Sequence, residues 1–132
     1  DVAIVLEGTP ADDTPGFSLV AAQGALGKGV QIRLQDPTAM MNPALVDLVV
    51  KVAEENDIAY QLAVRTSGGT DARAFHLSGT GVPTVVLGVP SRYIHTHKSI
   101  IDISDYLAMM ELSIALVGSL DQDEINALTT YL

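Results

Sequence analysis

The sequence predicts an α/β fold, a mixed β-sheet flanked by helices, and three observations predict it. Val2–Leu6 and Thr84–Val89 are continuous apolar runs, the pattern of strands buried on both faces. Val30, Ile32 and Leu34, and later Tyr60, Leu62 and Val64, recur at a period of two, as in half-buried strands. Between and after these runs lie stretches with apolar residues at helical spacing, and strands alternating with helices define an α/β sandwich.

Taken in order, Val2–Leu6 opens the chain as a buried strand. Ala11–Lys28 is rich in Gly, Asp and Ala and reads as a long loop, with a short strand expected around Phe17–Ala21. After the strand at Val30–Leu34, Asn42-Pro43 supplies an N-cap and a first-turn proline. Leu45, Leu48, Val49 and Val52 follow at helical spacing to an end near Asn56. The strand Tyr60–Val64 runs into Ser67-Gly68-Gly69-Thr70-Asp71, and a short helix is expected over Asp71–Leu77. Gly79-Thr80-Gly81 breaks that helix before Pro83 and the strand Thr84–Val89. The longest helix starts near Ser104 or Asp105, with Leu107, Met110, Ile114 and Val117 on one face. A last helix begins at Asp121, a capping carboxylate with Glu124 three residues on.

Composition bounds the function. The 132 residues suffice for one domain, or a large part of one, with a real core. Hydrophobic content of 48% and a positive mean hydropathy exclude a disordered chain. No apolar run approaches the roughly 20 residues of a spanning helix, so no membrane role is expected. A formal charge of −9 argues against nucleic acid, which requires a basic footprint, and an acidic surface suits cationic ligands such as a peptide amine or simple solubility. Without cysteine there is neither a disulfide nor a thiolate metal site; the absence fits a cytoplasmic protein. The chain begins at Asp1, inside an apolar run, which predicts the C-terminal piece of something longer.

Two short stretches carry the chemistry: Glu7-Gly8-Thr9-Pro10-Ala11-Asp12-Asp13-Thr14-Pro15-Gly16 and Ser91-Arg92-Tyr93-Ile94-His95-Thr96-His97. Each sets a potential metal ligand, Glu7 or His95, just past a predicted strand. Ligands at the carboxyl ends of strands are how α/β sheets build sites. One carboxylate and one imidazole are fewer than the three protein ligands of a catalytic zinc, so the chain reads as part of a site.

The order of motifs resembles the metallo-aminopeptidases called glutamyl, deblocking or tetrahedral (TET) aminopeptidases, some of them filed as endoglucanase M. The resemblance rests on Ala3–Gly16, Leu26-Gly27-Lys28-Gly29, Gly68-Gly69-Thr70-Asp71-Ala72, and Gly81-Val82-Pro83-Thr84 running on to Arg92-Tyr93-Ile94-His95. It implies a zinc-peptidase-like α/β sandwich of which residues 1–132 are the C-terminal part, the N-terminal part and an inserted dimerisation domain lying elsewhere. It also implies peptide substrates, a homo-oligomer that is usually a dodecamer, and two divalent ions, zinc or cobalt. Glu7 matches the acid that binds one ion and His95 the histidine that binds the other. The bridging aspartate, a further histidine and the general-base glutamate fall upstream, so no catalytic acid–base residue is expected within this chain. An isolated fragment of this kind is expected to be inactive, a fold or assembly module. A glycosidase, suggested only by the old naming, needs two flanking carboxylates that the sequence does not offer.

The other candidates are set against plainer readings. Gly68, Gly69, Thr70 and Asp71 form either a substrate-contact loop or a tight turn between strand and helix. Asp13 belongs to an Asp-x-Pro-Gly turn and serves to orient the Glu7 loop, while Asp12 is assigned no metal. Arg92 and Tyr93 are placed to orient His95. His97 is read as an outer or exposed histidine, His76 as structural, and Glu54-Glu55 as a solvated helix face. Arg65 and Arg73 are cations that an acidic substrate side chain would meet, with no direction fixed by sequence.

Overall fold

The computed structural model describes residues 1–18 and 20–129. Among them, six strands form one mixed sheet: β1 (Ala3–Pro10), β2 (Val30–Asp36), β3 (Ala39–Met40), β4 (Tyr60–Val64), β5 (Thr84–Arg92) and β6 (Ile100–Ile101). The helices are α1 (Pro43–Glu55), α2 (Ala72–Phe75), α3 (Ile103–Ser119) and α4 (Gln122–Thr129).

β5 is the spine. It pairs in parallel with β1 from Ala3 opposite Thr84 to Pro10 opposite Ser91, and antiparallel with β2 at Gln31–Arg33. β4 joins β2 in parallel on its other edge. With partners on both sides, β5 is buried from Thr84 to Ser91, as its apolar run predicts. β1 departs from that expectation: no strand pairs with its outer edge among the described residues, and Leu6 is 51% exposed.

β1 and β5 also run further than their apolar runs suggest, because their shared register carries the ladder through Pro10 and Ser91. Glu7 therefore lies within a strand, opposite Gly88, instead of just past one. The expected strand at Phe17–Ala21 does not form; Leu19 lies outside the described residues, and Phe17 and Ala21 close turns on Thr14 and Ser18. Two-residue strands such as β3 and β6 carry no periodicity to read.

α1 follows the sequence closely. Asn42 Oδ1 accepts the Leu45 N–H at 2.9 Å, Pro43 occupies the first turn, and Leu45, Val49 and Val52 pack onto Val30 and Ile32 of the sheet's core. Asp121 likewise caps α4, accepting the Asp123 and Glu124 N–H groups.

α3 is where the structure corrects the sequence. Leu107, Met110, Ile114 and Val117 share a face, but it is the outer one, between 45% and 68% exposed. The buried side carries Asp105, Leu112 and Leu116. A helix apolar nearly all round has two possible stripes, and packing against β5 and α1 selects between them. Asp105, fully buried, accepts N–H bonds at 2.7 Å from both Gly27 and Gly29, tying the Leu26–Gly29 loop to the first turn of α3. Gly29 is required there: its φ is +93°, and a Cβ would stand 2.1 Å from the Ala59 carbonyl oxygen.

Candidate active site

Glu7 and His95 arrive at one edge of the sheet because β1 and β5 are parallel and both point their carboxyl ends that way. Both side chains line a cavity of about 620 Å³, shared with Gly69, Thr70, Asp71 and Arg73. The glycine-rich loop after β4 closes over Glu7, whose carboxylate accepts the Asp71 N–H at 3.0 Å. Gly69 allows this approach, since a Cβ there would fall 2.7 Å from the Thr38 hydroxyl.

The loop rests on a buried polar cluster that sequence reading missed. Asp36, 2% exposed, accepts bonds from Arg33, from the Thr38 N–H and hydroxyl, from the Ala39 N–H and from the Thr70 hydroxyl. Burial raises the Asp36 pKa, but the Thr38 and Arg33 bonds prevail and hold it below the ordinary value. Thr70 is thus anchored inward by its side chain. A signal existed: an arginine and an aspartate three residues apart in a strand whose neighbours are apolar need each other once buried.

His95 sits on the loop after β5. Tyr93 and His95 have φ of 59° and 63°, a left-handed conformation that side chains other than glycine adopt sparingly and that clusters at functional sites. The Thr96 hydroxyl donates to the Tyr93 carbonyl at 2.6 Å and helps close this turn. Arg92 forks onto Asp13, with N–O distances of 2.7 and 2.8 Å, joining the loop after β1 to the end of β5. Asp13 also accepts the Leu26 N–H.

The Arg92 bond holds the Asp13 carboxyl below its ordinary value of 3.8, against the opposing effect of burial. A carboxyl whose pKa falls on folding adds stability above its unfolded value, and that stability is lost as pH drops through the lower native one. Asp13→Asn is therefore expected to destabilise the fold at neutral pH and to match the unsubstituted chain well below pH 3.8. Urea unfolding at both pH values checks this; an equal deficit in acid would show that the ion pair is not the cause.

The remaining candidates separate cleanly. Asp12 is buried and takes Arg65 at 2.6 Å and the Gln23 N–H at 2.8 Å. Arg65 also donates to Gln31 and to the Pro10 carbonyl, so both of its terminal nitrogens are engaged, while its buried Nε has no partner among the described residues and the side chain lines a smaller hollow with Glu7 and His95. His76 bonds the Ala72 carbonyl through Nδ1 at 2.9 Å, a structural contact. His97 is exposed and does not line the cavity. Glu54 bonds the Tyr60 hydroxyl and Glu55 pairs loosely with Lys51, both at the surface.

A carboxylate oxygen and an imidazole nitrogen are donors of the right kind for zinc or a similar divalent ion. Among the described residues no third His, Cys, Asp or Glu gathers with them into a group that could hold an ion. The donors fit in kind and fall short in number.

A cavity at the carboxyl ends of parallel strands in an α/β sheet is where enzymes of this architecture bind their ligands. Residues 1–112 match the family model described as M42 glutamyl aminopeptidase, and the chain belongs to that family. It is 33% identical over 131 residues to the glutamyl aminopeptidase of Lactococcus lactis, a match covering 99% of this chain and 36% of that protein. It superposes with a TM-score of 0.93 on a TET aminopeptidase from a marine sediment archaeon of the Thaumarchaeota, at 35% identity over 98% of this chain and 36% of that one. It also superposes, with a TM-score of 0.73, on the TET1 peptidase of Pyrococcus horikoshii, described as assembling into a tetrahedron or a large octahedral shell. That match is 30% identical and covers 89% of this chain and 34% of the other. The chain thus spans about a third of the length of the relatives it matches.

Proposed function

We propose that this chain is the C-terminal part of the catalytic domain of a metal-dependent aminopeptidase that removes N-terminal residues from peptides. The observation that carries the reading is the meeting of Glu7 and His95 in one cavity beneath the Gly68–Asp71 loop, in a chain of the glutamyl aminopeptidase family. Glu7 and His95 would each hold one of two divalent ions, zinc or cobalt. The other ligands and the general-base glutamate would come from outside these residues. Two such ions, when bound, lower the pKa of a water and polarise the scissile carbonyl.

This chain's own residues do the positioning. The Asp71 N–H fixes one oxygen of Glu7, and Asp13 with Arg92 fastens the two strand ends that present Glu7 and His95. Tyr93 adds the turn from which His95 projects. Gly68, Gly69, Thr70 and Asp71, anchored through the Thr70 hydroxyl on Asp36, supply a wall on which a peptide backbone can lie.

The outer edge of β1, unpaired among the described residues, and the exposed apolar face of α3 support a larger domain packed against this one. On this reading the 132 residues alone are inactive, and the whole protein is a homo-oligomer, a dodecamer, acting in the cytoplasm. No single helix among the described residues is long and apolar enough to cross a membrane.

The test uses the whole protein. Peptides with a free amino terminus should be shortened from that end, N-acetylated ones should resist, and a chelator should stop the reaction until zinc or cobalt is restored. Cleavage that ignores the chelator, or that falls at internal bonds, would overturn the proposal.

A further inference from the structure

His95 sits in a hairpin loop, residues 93–99, between β5 and β6. The base of that loop is fixed. Arg92 pairs with Ile100 and Ser91 with Ile101, and the Ser99 hydroxyl donates to the Arg92 carbonyl at 3.2 Å. The Arg92 guanidinium, forked onto Asp13, holds the same point from outside. Ile94 lies over Gly8, where an added Cβ would stand 3.8 Å from its Cδ1, and it lines the cavity beside His95.

The tip of the loop is strained. Tyr93 and His95 both hold a left-handed φ, of 59° and 63°, which crowds any side chain and leaves only glycine at ease. Two such residues persist only where their surroundings hold them. Thr96 supplies that hold with one hydroxyl. Its Oγ1 donates to the Tyr93 carbonyl at 2.6 Å and accepts the Lys98 N–H at 3.3 Å, tying the residues on either side of His95 across the turn. Tyr93, His95, Thr96 and Lys98 are all exposed, so the core does not depend on these bonds.

We infer that Thr96 is a positioning residue for His95: its hydroxyl holds the left-handed turn that keeps His95 at the cavity shared with Glu7. The inference rests on the aminopeptidase reading, in which His95 holds a divalent ion, and adds the residue that keeps that ligand in place. Without the hydroxyl the turn is free to leave the left-handed region, and the fraction of molecules with His95 ready to bind falls, weakening the apparent affinity by the same factor. One hydrogen bond of this kind shifts such an equilibrium roughly 2–10-fold.

The experiment compares the whole protein, unsubstituted and as Thr96→Val and Thr96→Ser. Valine keeps the shape and β-branching of threonine without the hydroxyl, whereas serine keeps the hydroxyl. Three quantities are read: the chelator concentration that halves the bound zinc, by mass spectrometry; kcat on a peptide with a free amino terminus; and the thermal unfolding midpoint in excess chelator. Thr96→Val should lose its zinc at a chelator concentration roughly 2–10-fold lower, with kcat falling alongside and the midpoint unchanged. Thr96→Ser should match the unsubstituted protein in all three. Unchanged zinc retention in Thr96→Val, or a loss that Thr96→Ser shares, would overturn the role of the hydroxyl. A lower midpoint in Thr96→Val would also overturn it, by showing that Thr96 serves the fold at large. Each of these outcomes leaves the peptidase reading standing. If the unsubstituted protein takes up no zinc and cleaves nothing, the peptidase reading fails and this inference falls with it.

Discussion

Asp36→Ala is expected to be the most damaging single change to the fold, costing about 3–5 kcal/mol, the range for removing one partner of a buried ion pair. Asp36 accepts five bonds in a space that water barely reaches, and its loss strands the Arg33 guanidinium, itself 4% exposed, without a counter-charge. The Arg33 Nε already lacks a partner among the described residues, so nothing nearby takes up the slack. A cost of that size is a large share of the ~5–15 kcal/mol that holds a typical domain together. By comparison, Asp121→Ala removes an exposed helix cap and should cost about 1 kcal/mol. Urea unfolding of both variants gives the comparison. Should Asp36→Ala fail to fold, the double variant Arg33→Met/Asp36→Leu decides the matter: removing both charges should restore much of the stability. A double variant as unstable as the single one would mean that the Thr38, Ala39 and Thr70 bonds, not the ion pair, are what Asp36 provides.

The largest expected effect on activity is that of His95→Ala in the whole protein. Loss of an outer partner of a metal ligand costs roughly 10–100-fold, and loss of the ligand itself should exceed that. His97→Ala should stay near the unsubstituted rate. The two histidines are two residues apart in an exposed loop, yet only His95 lines the cavity with Glu7, from a backbone held at a φ of 63°. Metal content by mass spectrometry should fall with the activity for His95→Ala and remain for His97→Ala. If both substitutions lower activity and metal content alike, the His95-Thr96-His97 stretch acts as a unit and His95 is not the sole ligand there.

Both predictions concern residues whose legibility differed. His95 was readable because it follows an apolar run and carries a motif, both of which are local. The Arg33–Asp36 cluster was not read, because a charged pair in a half-buried strand looks solvated until β4 and β5 cover that strand on both edges. Arg65 and Arg73 were equivalent cations in the sequence. Only the fold separates them, by bringing Asp12 and Gln31 to one and the open cavity to the other.

The sequence by itself determined the α/β class, the order of the four longer strands and of the helices, the capped starts of α1 and α4, and the presence of Glu7 and His95 near the ends of two strands. These features follow from short-range rules: side-chain period, backbone restriction at Pro and Gly, and caps satisfying the first free N–H groups. The tertiary structure alone decided that β1 is an edge strand and that Glu7 lies inside it. It also decided which side of α3 is buried and which of Arg65 and Arg73 lines the main cavity. These depend on pairing and burial between segments far apart in the chain. An apolar stripe or a lone charge carries no information about its partner until the sheet assembles, and at that point desolvation makes the partner obligatory.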